Sequence, residues 1–432
     1  MDAEAVPKRA EVFSYAGLDA GDDHLVAHYE LDGEPFEERV TFTGVSGVDR
    51  PAPRAVAELW YALAGLSYYK AGAAREIDAS GARLGAAGRA LLASALVDGL
   101  AEFSFRNDLP GDDVAIGPSA TPARAVADLA ATRVLVPFGG GIDSVVSVSS
   151  LSPRLDTALF VVSPPSGPFA ALEATAAVTG LSIVRATRTL DAKVLARDPR
   201  RFSGHVPVTA MIALLAAVAA VADGRGGVVM SNERSASVAN LSWHGREVNH
   251  QWSKSWAAEQ LLSEALAEVL DADLTVASAL RDASELLVAQ RFAQLSDYHA
   301  VFRSCNRAFT QEPSARAANW CGECDKCLFI ALVLSPFVAR ADLAAILGAE
   351  PLVDPARDAQ LRTLVGLGEL HKPFECVGDP DESAAALVRT ATLPDWRAEP
   401  RLRGLAAGLP APDFDGLLIR EGPTGVPAHW LR

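Results

Sequence analysis

This sequence of 432 residues has few cysteines. It also lacks a long apolar run and an apolar segment at its N-terminus. The five cysteines, three of them bunched, are too few and too local for the disulfide framework of a secreted protein. Residues 1–8 lack the apolar core of a signal peptide. The longest uncharged run, residues 206–222, contains a proline and is shorter than the roughly 20 residues that span a bilayer. We therefore expect a cytoplasmic protein with no membrane partner, in which residues 206–222 form a buried helix.

Basic residues are outnumbered by acidic ones. The sequence has 39 lysines and arginines and 54 aspartates and glutamates, which gives a net charge of −15. Binding to DNA or RNA requires a basic surface that releases counterions from the phosphates. We therefore expect no nucleic-acid partner. Half of the residues are hydrophobic, and a length prior of about 150 residues per domain predicts two or three domains.

The N-terminal part is predicted to be a small α+β domain over residues 1–112. Residues 24–42 alternate apolar and polar side chains around Asp32-Gly33, which predicts a β-hairpin. Between residues 55 and 105 the apolar spacing changes to a helical period. Proline, glycine and aspartate crowd together in residues 107–113, and this composition predicts a linker.

The remainder of the chain is predicted to form an α/β domain followed by helices. From residue 134 onward, strand-like runs alternate with helical ones, which is the pattern of a parallel sheet with helices on both faces. We assign this domain to residues 113–330. After Cys327 the chain shows helices separated by proline and glycine, so residues 331–432 are assigned to a helical C-terminal region. The expected strands are 134–138, 158–163, 182–186 and 227–231.

The first of these strands runs into three glycines, then Asp143 and Ser144 at the start of a helix. Because Gly139, Gly140 and Gly141 have no Cβ atoms, their N–H groups can close on an anion, and the helix N-terminus adds partial positive charge. The spacing is neither the Walker pattern nor Gly-x-Gly-x-x-Gly. It resembles the Ser-Gly-Gly-x-Asp-Ser loop of the PP-loop ATP pyrophosphatases, which cleave ATP between the α- and β-phosphates to adenylate a substrate. Gly139 stands where that family usually has serine.

The resemblance to the PP-loop enzymes implies how ATP would be held. The three glycines and Ser144 would surround the pyrophosphate that leaves. Mg²⁺ would bridge the phosphates, with Asp143 as a ligand directly or through water.

Three cysteines form a Cys-x2-Cys-x2-Cys knuckle, and a fourth lies sixteen positions upstream of its first member. Four thiolates suit a tetrahedral structural zinc, although an iron–sulfur cluster also uses four thiolates. Similar cysteine sets hold zinc beside the PP-loop of 7-cyano-7-deazaguanine synthase. The predicted ligands are Cys305, Cys321, Cys324 and Cys327.

Residues 231–255 are rich in hydrogen-bonding side chains interleaved with tryptophan, which fits neither a helical nor a strand packing face. Such a segment suits a loop that lines a polar ligand site. Each of its members could instead make an ordinary structural hydrogen bond. The candidates are Arg234, Arg246 and Asn249 for substrate binding, Lys254 as a point charge, and Glu233, His244 and His250 for proton transfer.

Further segments occur across the chain: Gly65-Leu-Ser-Tyr-Tyr-Lys70, Gly204-His-Val-Pro-Val-Thr209, Ser231-Asn-Glu-Arg-Ser-Ala-Ser237, Val248-Asn-His-Gln-Trp-Ser-Lys-Ser255 and Lys372-Pro-Phe-Glu-Cys376. Together with the glycine loop and the cysteine knuckle, they resemble the UDP-N-acetylmuramoyl-L-alanyl-L-glutamate epimerases. These are ATP-dependent enzymes of peptidoglycan precursor synthesis. The resemblance covers nearly the whole chain.

The epimerase resemblance implies a substrate, a UDP-muramoyl dipeptide, and a functional link to the ligase that attaches L-glutamate to UDP-MurNAc-L-Ala. Adenylation of the glutamate α-carboxylate removes its charge and makes the adjacent carbon acidic, so that an acid/base pair can invert it. The predicted catalytic residues are Asp143, Glu233, His250, Lys254 and Cys376. For Cys376 a role as a small buried hydrophobe is equally open.

Three other functions remain open from the sequence. A PP-loop ligase or nitrile-forming synthase would also release AMP and PPi, but it would require ammonia. A tRNA-thiolating enzyme fits the acidic composition less well. A nucleotide-binding regulatory module without turnover would have little need of the polar segment 231–255.

Overall fold

The computed structural model describes residues 7–196, 198–310, 312–368, 372–410 and 413–431. Residues 1–6, most of the segment in which no signal peptide is expected, lie outside these ranges. Among the helices of the described ranges, none is both long and apolar enough to cross a membrane.

A ten-stranded, mostly parallel β-sheet forms the centre of the fold, in the spatial order β14-β10-β7-β8-β9-β3-β2-β1-β4-β5. Two short pairs, β11 with β12 and β6 with β13, lie outside it. The strands in chain order are β1 (Val12–Ala20), β2 (His24–Leu31), β3 (Glu34–Thr43), β4 (Glu76–Asp78), β5 (Ala115–Ile116), β6 (Ala125–Val126), β7 (Ala130–Pro137), β8 (Asp156–Ser163), β9 (Ile183–Thr189), β10 (Arg225–Met230), β11 (Leu241–Trp243), β12 (Arg246–Val248), β13 (Leu270–Asp271) and β14 (Thr275–Ser278).

The predicted hairpin and all four predicted strands are confirmed. Asp32 and Gly33 have φ of 49° and 81°, which are the two positive values that a type I′ turn between β2 and β3 requires. The four strands expected after residue 134 are β7, β8, β9 and β10, and they pair in parallel in the order β10-β7-β8-β9. The sequence analysis did not identify β14, which extends this parallel set at its edge.

Helices connect and cover the strands. The long apolar run of residues 206–222 is the buried helix α8, as predicted. The helices are α1 (Pro51–Ala64), α2 (Leu66–Tyr69), α3 (Ala86–Val97), α4 (Ala101–Asn107), α5 (Ile142–Leu151), α6 (Ala170–Thr179), α7 (Ala192–Leu195), α8 (Val208–Ala222), α9 (Trp256–Val269), α10 (Glu285–Ala293), α11 (Asp325–Leu334), α12 (Arg340–Leu347), α13 (Asp358–Leu364), α14 (Pro380–Thr392), α15 (Pro400–Ala406) and α16 (Ala428–Leu431).

Two hydrophobic cores lie on opposite faces of the sheet. Successive side chains of a strand point to opposite faces, so Leu135 of β7 packs into one core, whereas Val134 and Val136 pack into the other. The first core contains residues of α1, α3, α8 and α9. The second contains residues of α5, α10, α11 and α14. The expected α/β class is therefore confirmed, and the helical C-terminal region shares the second core.

The N-terminal strands belong to the same sheet as the parallel strands. β3 pairs antiparallel with β9, and α1 packs against α8, so the first core runs through both regions. At this junction the carboxylate of Glu38 on β3 is fully buried and pairs with the guanidinium of Arg188 on β9. The division of the chain at residue 112 stays a prediction, but the two sides of it are joined by main-chain hydrogen bonds.

The buried Glu38–Arg188 pair predicts a large effect of removing one partner. Glu38→Ala leaves Arg188 buried and uncompensated, which costs about 3–5 kcal/mol of unfolding free energy. Urea unfolding monitored by tryptophan fluorescence measures the loss. Glu37→Ala is the matched control, because the Glu37 side chain on the same strand is exposed. Equal unfolding free energies for the two variants would contradict the prediction.

Candidate active site

A cleft of about 510 Å³ opens at the carboxyl edge of the parallel strands. Phe138, Val162 and Met230 line it, and they lie at or near the ends of β7, β8 and β10. Ligands of open α/β sheets bind outside this edge. The opposite wall includes Lys326 and Cys376. The cleft therefore joins the glycine loop to residues that are distant in the sequence.

The glycine loop connects β7 to the N-terminus of α5. Gly140 has φ of 73°, a left-handed conformation that favours glycine, and Gly141 is the N-cap of α5. A Cβ atom at Gly141 would lie 2.7 Å from Oγ of Ser304. Within the described residues nothing lies within 4 Å of a Cβ placed on Gly139, so its side faces open space. Ser144 donates a hydrogen bond to the Gly141 carbonyl at 3.2 Å.

Acidic and hydroxyl oxygens without protein partners lie beside the loop. Oδ1 of Asp143, Oγ of Ser231 and Oε2 of Glu233 are buried, and among the described residues none of them has a hydrogen-bond partner. Burial and the negative charge of Glu233 raise the pKa of Asp143 to about 6. A cation near Asp143 would relieve both effects, so Asp143 is a candidate ligand of a divalent metal.

Cys376 and Lys254 line the same cleft as Asp143. Burial alone would raise the pKa of Cys376, but the positive charge of Lys254, a hydrogen bond with His250 and the charge of Lys326 lower it to about 6. Burial lowers the pKa of Lys254, and the charges of Cys376, Glu233 and Asp143 overcome this and raise it above its ordinary value. The arrangement provides a thiolate and an ammonium group at neutral pH.

His250 is hydrogen-bonded to Cys376 but does not itself line the cleft. Nδ1 of His250 lies 2.5 Å from Oε2 of Glu102. Nε of Arg106 donates to the other oxygen of Glu102 at 2.6 Å. The ring of His205 lies against the ring of His250, with 4.2 Å between centroids. Burial lowers the pKa of His250, but hydrogen bonds with Cys376 and Glu102 raise it to about 9.

The four cysteines of the predicted metal site come together at the N-terminus of α11. Their sulfurs all lie within 4.8 Å of one another, with 3.7 Å between Cys321 and Cys327 and 3.4 Å between Cys324 and Cys327. Four sulfurs about 2.3 Å from one ion are about 3.8 Å apart. The amide of Cys321 donates to the sulfur of Cys305 at 3.4 Å. The sulfurs therefore fit a tetrahedral metal ion.

Two family models match the chain. The model of the MurL N-terminal domain matches residues 4–279, and the model of the MurL C-terminal domain matches residues 301–415. The chain belongs to the MurL family. The junction between the two MurL models falls between β14 and α11, well after the predicted boundary at residue 112.

Three MurL relatives named UDP-N-acetyl-alpha-D-muramoyl-L-alanyl-L-glutamate epimerase match nearly the full chain. The protein of a Micromonospora strain is 38% identical, and the alignment covers 98% of each chain. The protein of Salinispora tropica is 36% identical over 98% of this chain and 95% of the relative. The protein of Xanthomonas oryzae pv. oryzae is 35% identical over 94% and 90%, respectively. The resemblance inferred from the sequence segments is confirmed.

Of the seven candidates in residues 231–255 of this MurL chain, Lys254 lines the cleft and the other six do not. Arg234 is near the carboxylates of Glu382 and Glu421, at 3.9 and 3.6 Å. Arg246 pairs with Asp112 at 2.5 Å on the exposed β11–β12 hairpin, whose turn contains His244 with φ of 49°. Asn249 donates to the Ala236 carbonyl at 3.0 Å. These contacts are those of structural residues. The roles of Arg234, Arg246 and Asn249 in substrate binding, and of His244 in proton transfer, stay predictions.

Three MurL residues at the site were missed by the sequence analysis. Lys326 lies inside the cysteine knuckle, where the cysteines obscured it, and its Nζ contacts the Cys376 carbonyl. Glu102 lies on α4 with an ordinary helical partner, Arg106, and gives no local signal. His205 lies in Gly204-His-Val-Pro-Val-Thr209, one of the segments that resemble the epimerases, but this segment alone does not indicate a role for the histidine.

The conformation of the MurL glycine loop predicts unequal effects of substitution at two adjacent positions. Gly140→Ala places a Cβ in the left-handed region and costs about 1–2 kcal/mol of unfolding free energy. Gly139→Ser changes it by no more than about 0.5 kcal/mol, because the side chain enters open space. Urea unfolding of both variants tests this. Equal losses at the two positions would show that the loop has another conformation.

Proposed function

We propose that this chain inverts the terminal L-glutamate of UDP-N-acetylmuramoyl-L-alanyl-L-glutamate to D-glutamate, with conversion of ATP to AMP and PPi. The names of the relatives support the epimerisation and its substrate. One observation of the structure supports the use of ATP. The glycine loop with Asp143 and the ionised Cys376 line the same cleft, so a carboxylate could be activated and the adjacent carbon deprotonated without moving the substrate.

Adenylation comes first in the proposed reaction. An oxygen of the glutamate α-carboxylate attacks the α-phosphorus of ATP, the bond to the bridging oxygen breaks, and PPi leaves. Phe160, Phe169 and Phe309 form an apolar wall suited to the adenine ring. The N–H groups at the start of α5 and the cations Lys254 and Lys326 line the same cleft and would hold the phosphates. This is the PP-loop function predicted from the sequence.

Inversion follows on the acyl-adenylate. The thiolate of Cys376 removes the α-proton, so that the C–H bond breaks, an S–H bond forms, and the electron pair is delocalised into the activated carbonyl. Lys254, which is protonated, is the proposed acid on the other face of the α-carbon: an Nζ–H bond breaks as the new C–H bond forms. The proton held by Cys376 then returns to Lys254, which restores the thiolate and the ammonium group. Water then attacks the acyl carbon, and AMP leaves with the D-glutamate product.

Mg²⁺ and a structural zinc fit the two groups of candidate ligands. The partnerless oxygens of Asp143 and Glu233 suit Mg²⁺, which would neutralise charge on the phosphates of ATP. The four sulfurs around α11 suit zinc, which would hold the cysteine knuckle together. We propose both as cofactors, in a cytoplasmic enzyme linked to the ligase that adds L-glutamate to UDP-MurNAc-L-Ala.

We expect one variant to lose the adenylation step and another to lose the inversion step. Wild type with ATP, Mg²⁺ and the L-Ala-L-Glu substrate should yield AMP, PPi and D-glutamate in equal amounts. In Asp143→Asn the rate of PPi release should fall by about 10²-fold, because a proposed metal ligand is removed. Cys376→Ser should still release PPi but lose exchange of the α-proton with solvent deuterium. PPi assay, mass spectrometry and chiral analysis provide the readouts.

Specific results would contradict this function. Normal PPi release by Asp143→Asn would refute the assignment of the ATP site. Unchanged deuterium exchange by Cys376→Ser would remove the thiol from the reaction. A requirement for ammonia with formation of a C–N bond would indicate the PP-loop ligase or nitrile-forming synthase instead. Binding of ATP without any turnover would indicate the regulatory module.

The proposed zinc predicts a metal content of one equivalent and a dependence of stability on it. Cys324→Ser should lose the zinc and several kcal/mol of unfolding free energy, because a structural metal contributes directly to folding. Cys376→Ser is the matched control for metal content and should keep the zinc. Elemental analysis and thermal unfolding measure both effects. Iron with acid-labile sulfide would indicate an iron–sulfur cluster, and protein purified without any metal would refute the site.

A further inference from the structure

Two side-chain amides hold His250 against the segment that carries Cys376. Asn240 is fully buried; its Oδ1 accepts from the His250 amide at 2.7 Å, and its Nδ2 donates to the Pro373 carbonyl at 2.6 Å. Gln251 donates to the Val377 carbonyl at 2.9 Å. These bonds fix the backbone on both sides of Cys376. The neighbouring imidazole and thiol are therefore positioned by main-chain contacts and not only by each other.

Helix α4 reaches the same place from the N-terminal region. Phe105 packs on Phe374 with 5.7 Å between ring centroids, and the guanidinium of Arg106 lies 4.9 Å from the centre of the Phe374 ring. These contacts place Glu102, one turn earlier on the helix, at His250. The Glu102 side chain is only 6% exposed and reaches Nδ1 of His250 at 2.5 Å. Nε2 of His250 is left for the thiol of Cys376.

We propose that Glu102 is a positioning residue which, through His250, keeps Cys376 in the thiolate form. A carboxylate bound to Nδ1 fixes the orientation of the imidazole and stabilises its protonated state. The imidazolium then donates from Nε2 to the sulfur, and this hydrogen bond favours the ionised thiol. The inference rests on the proposed function only for what the thiolate does, since its ionisation can be measured without substrate.

A metal ion is a poorer explanation of this cluster. Ligand atoms of Glu102, His205 and His250 lie within 4.8 Å of one another, which alone would suit a cation. However, both oxygens of Glu102 are already bonded, one to His250 and the other to the guanidinium of Arg106. With both oxygens engaged, neither is left free to coordinate a metal ion.

Several charged groups besides His250 face the thiol and set its titration. Lys254 approaches from the loop before α9, Lys326 from α11 and Asp143 from α5. The His250 ring faces His205, and burial together with the charge of His250 lowers the pKa of His205 to about 4, so His205 is neutral. The two lysines remain when Glu102 is changed. The effect of that change is therefore a partial shift of the thiol and not its complete neutralisation.

Alkylation of Cys376 at different pH values tests the proposal on the full, metal-loaded chain. The rate of iodoacetamide labelling, followed at this cysteine by peptide mass spectrometry without ATP or substrate, should rise around pH 6 in wild type. In Glu102→Gln the midpoint should move upward by about one pH unit, because the imidazolium loses its anionic partner. Glu102→Asp should restore part of the shift.

Asp98→Asn is the matched control, because it removes an exposed carboxylate just before α4 without contact to His250. Its midpoint should equal that of wild type. An unchanged midpoint in Glu102→Gln would overturn the proposal, as would a second bound metal that this variant loses. If Glu102→Gln does not fold, NMR of ¹⁵N-histidine in wild type decides. A doubly protonated His250 at pH 7 supports the proposal, and a neutral one overturns it.

The positioning role of Glu102 and the proposed epimerase function can be refuted independently of each other. If no AMP forms but the midpoint shifts, the thiolate arrangement is correct and the function is wrong. If AMP and D-glutamate form but the midpoint does not shift, the function stands and Glu102 has no positioning role.

Discussion

Lys254 lies among Cys376, Glu233 and Asp143 at the carboxyl edge of the sheet, where each of these groups is poorly hydrated. A single charge buried in this way costs several kcal/mol, whereas opposite charges held together compensate one another. The cluster is therefore stable only as a set. Its members come from α5, from the end of β10, from the loop before α9 and from the segment before α14. The fold must bring these four elements together, and the cleft lies where they meet.

This constraint explains why the regions of the chain cannot be independent. Helix α4 contributes Glu102 and packs Phe105 on Phe374, although β1, β2 and β3 lie far along the sheet from the glycine loop. Phe103 of α4 belongs to the first core, which also contains residues of α1, α8, β3 and β9. The N-terminal region thus supports the site through rigid elements, which hold side chains more accurately than loops do.

The sequence predicted those features that have a local pattern. The turn at Asp32-Gly33, the buried helix α8, four parallel strands and the clustering of the cysteines all follow from spacing that neighbouring residues share. The position of Glu102 could not be predicted in this way, because its partner His250 lies 148 residues further along the chain. The strands β7, β8, β9 and β10 come between them in the sequence. Arg246 failed to reach the cleft for a related reason: Gly245 and His244 form a turn that directs it toward Asp112. Residue type alone does not distinguish an anion-binding arginine from one in a surface ion pair.

The cysteine knuckle illustrates how a structural element serves the chemistry beside it. Cys324 is the N-cap of α11, and Lys326 lies in the first turn, between two cysteines of the cluster. A lysine side chain is flexible and loses entropy when it is held in one place. The amides of Glu323 and Cys324 both donate to the sulfur of Cys321 at 3.4 Å, so the backbone around Lys326 is already fixed by the knuckle. With the backbone fixed, only the side-chain torsions must be ordered for Nζ to reach the Cys376 carbonyl. A metal bound to the four cysteines would hold this backbone in place, and with it the base of Lys326, whose charge lowers the pKa of Cys376.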